Sequence, residues 1–187
     1  MTKKTSLMTA VAVAGLLAVL APAFAANDNT QSDQKFALEA AQGGMMEVEL
    51  GRLATQKAAS QAVKDFGQRM VTDHGKANTQ LMQIASQKGI SLPKALPANM
   101  KQERDKLAGL SGAEFDRMYM SHMVKDHEKD VKKFEMEAEK GNDPALRSFA
   151  QETLPTLRQH LELARSVAAQ VGAGHGDHGH HGSKSGS

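Results

Sequence analysis

The sequence predicts an all-α protein, a four-helix bundle of two antiparallel hairpins with a short helix in the connection. Between Ser32 and Val171, apolar residues recur every three to four positions, and no segment alternates with period two. The chain has no tryptophan, one tyrosine and six phenylalanines, which leaves few of the residues that favour a β-core. Long periodic segments occur in two pairs, and each pair is joined by a tight turn, as in a helical bundle.

The two ends of the chain are predicted to lie outside the bundle. Residues 1–25 have the pattern of a signal peptide, with Lys3 and Lys4 before an apolar run and a small-x-small ending at Ala25. An uncleaved N-terminal anchor is the alternative, although the apolar run is short for a membrane span. Residues 172–187 form a glycine-rich tail whose composition predicts disorder. Its four histidines either chelate a transition metal loosely or have little role: His175, His178, His180 and His181.

The charge and composition limit the classes of partner and the cellular location that we expect. Lysine and arginine total 23 against 21 acidic residues, and removal of the signal peptide with its two lysines makes the charge balance neutral. A neutral surface argues against nucleic acids and anionic membranes as partners. No second long apolar segment follows, so we expect a soluble exported protein of the periplasm, with a peripheral place at the outer membrane as the alternative. The absence of cysteine excludes disulfide scaffolds, cysteine metal sites and thiol catalysis.

The first hairpin is predicted to consist of two long helices. The first runs from about Ser32 to Ala58, and the second runs from near Ser60 to Gly89. Glycine is suited to the left-handed position that ends many helices, which makes Gly89 a plausible stop. Prolines at 93 and 97 then interrupt the pattern, and a short helix is expected over Ala98 to Ala108.

The second hairpin begins with a helix-start motif. Ser111 and Glu114 have the spacing of a capping box, which predicts a long helix that ends at Gly141. Asp143 is suited to cap the next helix, and the proline that follows it fits the first helical position. The fourth long helix is expected to run to about Val171.

Each long helix carries a potential metal ligand near the middle of its apolar stripe. Burial of an ionisable side chain is unfavourable unless the group is paired or bound. Such groups at similar depth on four helices therefore predict one shared site. On the third long helix the apolar stripe is broad, and the pattern does not single out one residue. The candidates are Glu47, His74 and His160 on the other helices, and His122, Asp126 and His127 on the third.

The two hairpins resemble each other in this pattern. Glu47 follows Phe36 by 11 residues, and Asp126 follows Phe115 by 11, so each hairpin is expected to contribute one carboxylate and one imidazole. Asp73, directly before one of the histidines, either orients a neighbouring imidazole or is simply solvated. The consecutive glycines 43 and 44 allow a neighbouring helix to approach closely or leave room one turn from Glu47.

Three functions are compatible with such a cluster. The first is a non-enzymatic site for a divalent transition metal (iron, copper, zinc or nickel), since imidazole and carboxylate ligands suit these ions. The second is a metal-free polar network that fixes helix register in a structural or interaction protein of the envelope. A metal-dependent redox enzyme is the third and is not favoured, and no nucleophile elbow or phosphate-binding glycine loop is present. Six methionines either shift the site towards copper or fill the core: Met45, Met46, Met70, Met118, Met120 and Met123.

Several strings carry a family resemblance over about Asp33 to Val167. They are Phe36-Ala-Leu-Glu-Ala-Ala-Gln-Gly-Gly-Met-Met-Glu-Val-Glu-Leu-Gly51, Met70-Val-Thr-Asp-His74, Phe115-Asp-Arg-Met-Tyr119, Met123-Val-Lys-Asp-His127 and Thr153-Leu-Pro155. The combination resembles a bacterial exported domain-of-unknown-function family labelled "putative outer membrane protein", which groups with ferritin-like bundles. The resemblance implies an exported ferritin-like four-helix bundle and implies no reaction.

The chain departs from the di-iron pattern of true ferritins. Those sites use Glu-x-x-His on two helices. Here the residues three positions before His74 and His160 are Val71 and Leu157. We therefore expect a mononuclear or vestigial site rather than a ferroxidase or an iron store.

Overall fold

The computed structural model describes residues 23–173, and within that range the chain forms five helices and no strand. The predicted all-α bundle is confirmed, although the first helix begins earlier than expected. Residues 1–22 and 174–187, with most of the predicted signal peptide and the tail with its four histidines, lie outside the described range. The helices are α1 (Ala23–Lys57), α2 (Gln61–Lys88), α3 (Ala98–Ala108), α4 (Gly112–Lys140) and α5 (Pro144–Gln170).

The predicted helix ends at Gly89, Ser111 and Asp143 are confirmed, but the capping box predicted at Ser111 does not form. Gly89 ends α2 with a left-handed φ of 68°. The Asp143 side chain caps α5 by accepting hydrogen bonds from the amides of residues 145 and 146. At α4, the Ser111 side chain makes no capping hydrogen bond. Gly112 directly after it has a φ of 63°, so the first turn lacks the regular geometry that a capping box needs.

Each hairpin is held at its turn by an aspartate from the other hairpin. Asp116, at the start of α4, accepts hydrogen bonds from the amides of residues 59 and 60, at 3.1 and 2.8 Å. Asp33, near the start of the buried part of α1, accepts from the amides of residues 142 and 143, at 3.2 and 2.7 Å. The turn of each hairpin therefore lies beside the beginning of the other.

The connection between the hairpins runs the length of the bundle. The end of α2 lies at the α4–α5 turn, where Lys88 forms an ion pair with Asp143. The start of α4 lies at the opposite end, beside the α1–α2 turn. Residues 89–111, including α3, must span the distance between these ends. α2 and α4 consequently run in the same direction, which gives a bundle with one long crossover.

The core consists of two apolar clusters with a polar layer between them. One cluster includes Leu50, Phe66 and Met123, and the other includes Phe36 and Phe149. Along each long helix, the residues of one cluster are followed by a polar position and then by residues of the other. None of the helices within residues 23–173 has the length and apolar character needed to cross a membrane.

Candidate functional site

Three histidine rings lie together in the polar layer. His74 on α2, His127 on α4 and His160 on α5 are all buried, and their ring centroids are 5.3 to 5.7 Å apart. One ring nitrogen of each lies within 4.8 Å of those of the other two. Each histidine occupies an inward position of its helix because helical spacing places it in line with the apolar residues of the core.

Two of the rings are oriented by an oxygen atom that can only accept a hydrogen bond. His127 Nδ1 lies 2.9 Å from the carbonyl oxygen of Met123. His160 Nε2 lies 2.9 Å from Oδ2 of Asp73. In each ring the proton belongs on the nitrogen that faces the oxygen, so the opposite nitrogen of the neutral ring presents a lone pair. Asp73 therefore has the orienting role, and it acts on the ring of His160.

Glu47 is fully buried and lies beside one ring nitrogen of His74 and one of His127. Its Oε2 is 2.8 Å from His74 Nδ1, and its Oε1 is 3.3 Å from His127 Nε2. These are ion-pair distances, but their angles are not those of hydrogen bonds, and both Glu47 oxygens have no hydrogen-bond partner among residues 23–173. Glu47 is therefore close to both rings, but the contacts are poorly directed.

Three buried ring nitrogens of this layer likewise have no hydrogen-bond partner in the described part of the chain. They are His74 Nε2, His127 Nε2 and His160 Nδ1. A buried polar atom without a partner costs about 1–3 kcal/mol. Five of the eight buried side-chain atoms without a partner among residues 23–173 belong to Glu47 and these three histidines.

The electrostatics of the layer keep the imidazoles of His74 and His160 neutral. Burial lowers the pKa of His74 to about 4. Burial also lowers the pKa of His160 to about 4, against the opposing effect of its hydrogen bond to Asp73. Burial raises the pKa of Glu47 to about 7. At neutral pH the two histidines are therefore uncharged, which is the state in which imidazole binds a metal ion.

A second cluster of acidic side chains shares Glu47 with the histidines. One carboxylate oxygen from each of Glu47, Asp126 and Asp130 lies within 4.8 Å of the other two. Asp126 is half-buried and Asp130 is buried. Burial raises the pKa of Asp130 to about 7, and the charge of Glu47 acts in the same direction.

Asp130 is missing from the sequence-based candidates because the predicted repeat used a different alignment of the hairpins. That repeat paired Glu47 with Asp126. The reciprocal turn contacts align Asp33 with Asp116 instead, and Asp130 follows Asp116 by the same 14 residues by which Glu47 follows Asp33. The spacing is visible in the sequence, but nothing in the sequence shows which aspartates bind the turns.

The structure brings most of the predicted site residues together. Glu47, His74, His127 and His160 meet in the polar layer, and Asp126 adjoins them through the carboxylates. His122 lies apart from this group, with its Nδ1 3.1 Å from Oε1 of Glu103 on α3. Four of the six candidate methionines pack in one apolar cluster of the core: Met46, Met70, Met120 and Met123.

A cavity of about 20 Å³ adjoins Glu47, His74 and Asp130. Gly44, the second glycine of the pair on α1, lines this cavity. A Cβ at Gly44 would collide with the side chain of Asn78, whereas a Cβ at Gly43 would lie in ordinary contact, 3.7 Å from Asp130 Oδ2. Gly44 thus allows Asn78 of α2 to approach closely and borders the space beside Glu47, which agrees with both predicted alternatives for the pair.

Residues 19–167 match the family described as "Domain of unknown function (DUF4142)". Among solved structures, the fold is similar to a "putative secreted protein DUF305" from Streptomyces coelicolor, with a TM-score of 0.66 and 18% identity over 80% of this chain and 98% of that chain. It is also similar to a DUF305 fragment from Deinococcus radiodurans, with a TM-score of 0.65 and 12% identity over 74% of this chain and 96% of that one. No curated protein matches the sequence.

At these identities the likeness to the two DUF305 proteins concerns the fold alone. The predicted resemblance to a domain family of unknown function is confirmed, and its outer-membrane label stays a prediction. Since the match extends over most of the chain, the protein belongs to the DUF4142 family.

Proposed function

We propose that this protein is an exported helical bundle that binds a transition metal ion through His74, His127 and His160, without a catalytic role. The observation that carries the proposal is the set of three buried imidazole lone pairs with no donor to meet them within residues 23–173. In a self-sufficient polar network these nitrogens would accept hydrogen bonds. A metal ion would satisfy all three at once.

The contacts behind the rings also support metal binding. Histidines that bind metals almost always donate their other ring N–H to a carboxylate or a backbone carbonyl, which fixes the ring orientation. His160 has such a contact to Asp73, and His127 has one to the carbonyl of Met123. His74 faces Glu47 at 2.8 Å. Three imidazoles with an adjacent carboxylate suit zinc, copper, nickel or iron.

The surroundings favour binding over catalysis. The cavity beside Glu47 and His74 has a volume of about 20 Å³. That volume accommodates a single water molecule and no organic substrate. A metal-dependent redox enzyme would need a larger opening at this point.

Export is the second part of the proposal. It is supported by the signal-peptide pattern of residues 1–25. It also agrees with the description of the structurally similar Streptomyces coelicolor protein as a putative secreted protein. We place the protein in the periplasm, with the four tail histidines as a loose auxiliary collector of metal.

Cobalt loading tests the proposal directly. We would use the chain from Ala26 to Ser187 with its four tail histidines replaced by serine, so that only the bundle can bind. We expect a saturable Co²⁺ site with the visible absorption of nitrogen ligation, and its loss in His127→Ala. His122→Ala is the matched control because its ring lies at Glu103 and should leave binding intact. Equal Co²⁺ binding by the parent protein and a variant without His74, His127 and His160 would contradict the proposal.

A metal-free structural role is the second candidate, favoured by the short contacts of Glu47 to His74 and His127. The two candidates differ in thermal unfolding. A ligand at 100 times its dissociation constant stabilises a folded protein by about 2.7 kcal/mol. We expect one equivalent of Zn²⁺ to raise Tm and EDTA to reverse the rise. A Tm unaffected by both additions would support the metal-free role.

A further inference from the structure

The carboxylates beside the histidines have little positive charge to balance them. Lys133 Nζ lies 3.6 Å from Oδ1 of Asp130, and it also lies 3.3 Å from Oε2 of Glu39. Within residues 23–173, this partly exposed lysine is the only lysine or arginine in ion-pair contact with the Glu47, Asp126 and Asp130 cluster, and the histidines that contact Glu47 are His74 and His127. Because Lys133 also contacts Glu39, it balances only part of the negative charge of the three carboxylates.

Glu47 supplies an independent indication that a ligand belongs at this cluster. Its side chain is completely buried, and neither oxygen has a hydrogen-bond partner among the described residues. Asp33 and Asp116, the buried carboxylates that hold the hairpin turns, accept backbone hydrogen bonds. Glu137 has one buried oxygen without a partner, and among residues 23–173 only Glu47 has both.

Space is present where the two clusters meet. The cavity of about 20 Å³ is lined by Glu47, His74 and Asp130. Such a volume suffices for one water molecule. A cation at the carboxylates could therefore keep one solvent ligand on the side of His74.

We propose that Glu47, Asp126 and Asp130 form a second cation subsite, so that the polar layer holds two metal ions bridged by Glu47. Its ligands are all carboxylate oxygens, which suit a hard divalent cation such as Mn²⁺ or Mg²⁺. The histidine subsite has nitrogen ligands and suits a softer ion. The second subsite goes beyond the single metal of the proposed function and rests on it only in sharing Glu47.

This arrangement differs from the ferritin scheme that the sequence lacks. The positions three residues before His74 and His160 are apolar, so the carboxylates do not come from Glu-x-x-His motifs. They come instead from Asp126 and Asp130, one turn apart on α4, and from Glu47 on α1.

Manganese binding monitored by electron paramagnetic resonance tests the second subsite. The chain from Ala26 to Ser187, with serine in place of the four tail histidines, is first given one equivalent of Zn²⁺. Mn²⁺ is then titrated, and the signal of free Mn²⁺ reports what is bound. We expect one Mn²⁺ per chain, with affinity at least about tenfold weaker in Asp130→Asn because a charged ligand is lost. Asp65→Asn, on the exposed surface of α2, is the matched control and should bind as the parent does.

Further variants keep the outcomes distinct. Asp126→Asn repeats the test at a half-buried position in case Asp130→Asn does not fold, which circular dichroism would reveal. His160→Ala should lose Zn²⁺ and retain Mn²⁺, since His160 is not part of the carboxylate cluster. Zn²⁺ binding without Mn²⁺ binding would overturn the second subsite and leave the proposed function intact. Mn²⁺ binding without Zn²⁺ binding would support the second subsite and contradict the proposed function.

Discussion

The two buried aspartates that hold the hairpin turns differ from Glu47 at the centre of the bundle. Asp33 and Asp116 each accept hydrogen bonds from two backbone amides of a turn. Glu47 is also buried, and its oxygens meet no hydrogen-bond donor within residues 23–173. Backbone donors therefore stabilise Asp33 and Asp116, which hold the hairpins together. Glu47 has no such donor, and this difference is why we propose a partner from outside the chain for it.

The two hairpins repeat the positions of their acidic residues but not those of their histidines. Asp33 and Glu47 in the first hairpin have the same spacing as Asp116 and Asp130 in the second. The imidazoles do not repeat: the residue 11 positions after Asp116 is His127, whereas the residue 11 positions after Asp33 is Gly44. At equivalent positions, the second hairpin therefore has a potential metal ligand, His127, and the first hairpin has a glycine without a side chain.

Removal of an end carboxylate should have the largest effect on stability. In Asp116→Ala, the amides of residues 59 and 60 lose their acceptor. At about 1.5–3 kcal/mol for each lost hydrogen bond to a charged group, we expect the free energy of unfolding to fall by about 3–6 kcal/mol. Urea unfolding measures the change, and the metal affinity of the folded protein should remain that of the parent. A large loss of affinity at full stability would show that the end and central carboxylates are not separate in function.

Removal of a central histidine should instead affect metal affinity more than the stability of the metal-free protein. In His127→Ala we expect Zn²⁺ affinity to fall more than about 100-fold, beyond the effect typical of outer contacts. The metal-free protein should also lose some stability, because the fully buried ring leaves a cavity and its Nδ1 contact to the carbonyl of Met123 is lost, so affinity is measured on the folded variant. Calorimetric titration and urea unfolding together check both expectations. A metal-free variant that no longer folds would indicate that the imidazole is a structural member of the core.

Asp73 should have an intermediate effect, since it acts through His160. Asp73→Ala removes the oxygen that orients the ring and should weaken Zn²⁺ binding about 10- to 100-fold. Thr72→Ala, at the neighbouring exposed position, is the control. Unchanged affinity in Asp73→Ala would mean that packing alone orients His160.

Glu137 offers a pH-dependent test at one end of the bundle. It lies buried near Asp33, and burial raises its pKa from 4.5 to about 7. The folded state therefore holds this proton more tightly than the unfolded state. Its stabilising contribution is complete below about pH 4.5 and is lost as the pH rises through 7.

Glu137→Gln removes the ionisation and should flatten that dependence. We expect the variant to be more stable than the parent by roughly 1–3 kcal/mol at pH 8 and about equal to it at pH 4. Urea unfolding at the two pH values measures the difference. An equal difference in stability between variant and parent at both pH values would show that the ionisation of Glu137 does not cause the pH dependence.

The sequence by itself determined the helices and the inward position of most ligands. Gly89 and Asp143 mark helix ends through local backbone chemistry. Helical spacing alone places Glu47, His74 and His160 on apolar stripes, because the face of a helix is a local property of its sequence.

The tertiary structure decided the rest of the site. His122 and His127 are five residues apart and thus roughly 140° apart around α4, so only the packing of that helix decides which of them points inward. The same packing brings Asp130 to Glu47, and the crossing of α2 with α5 brings Asp73 to His160. These contacts join residues distant in the chain, and they depend on the rotation and pairing of whole helices, which no local pattern specifies.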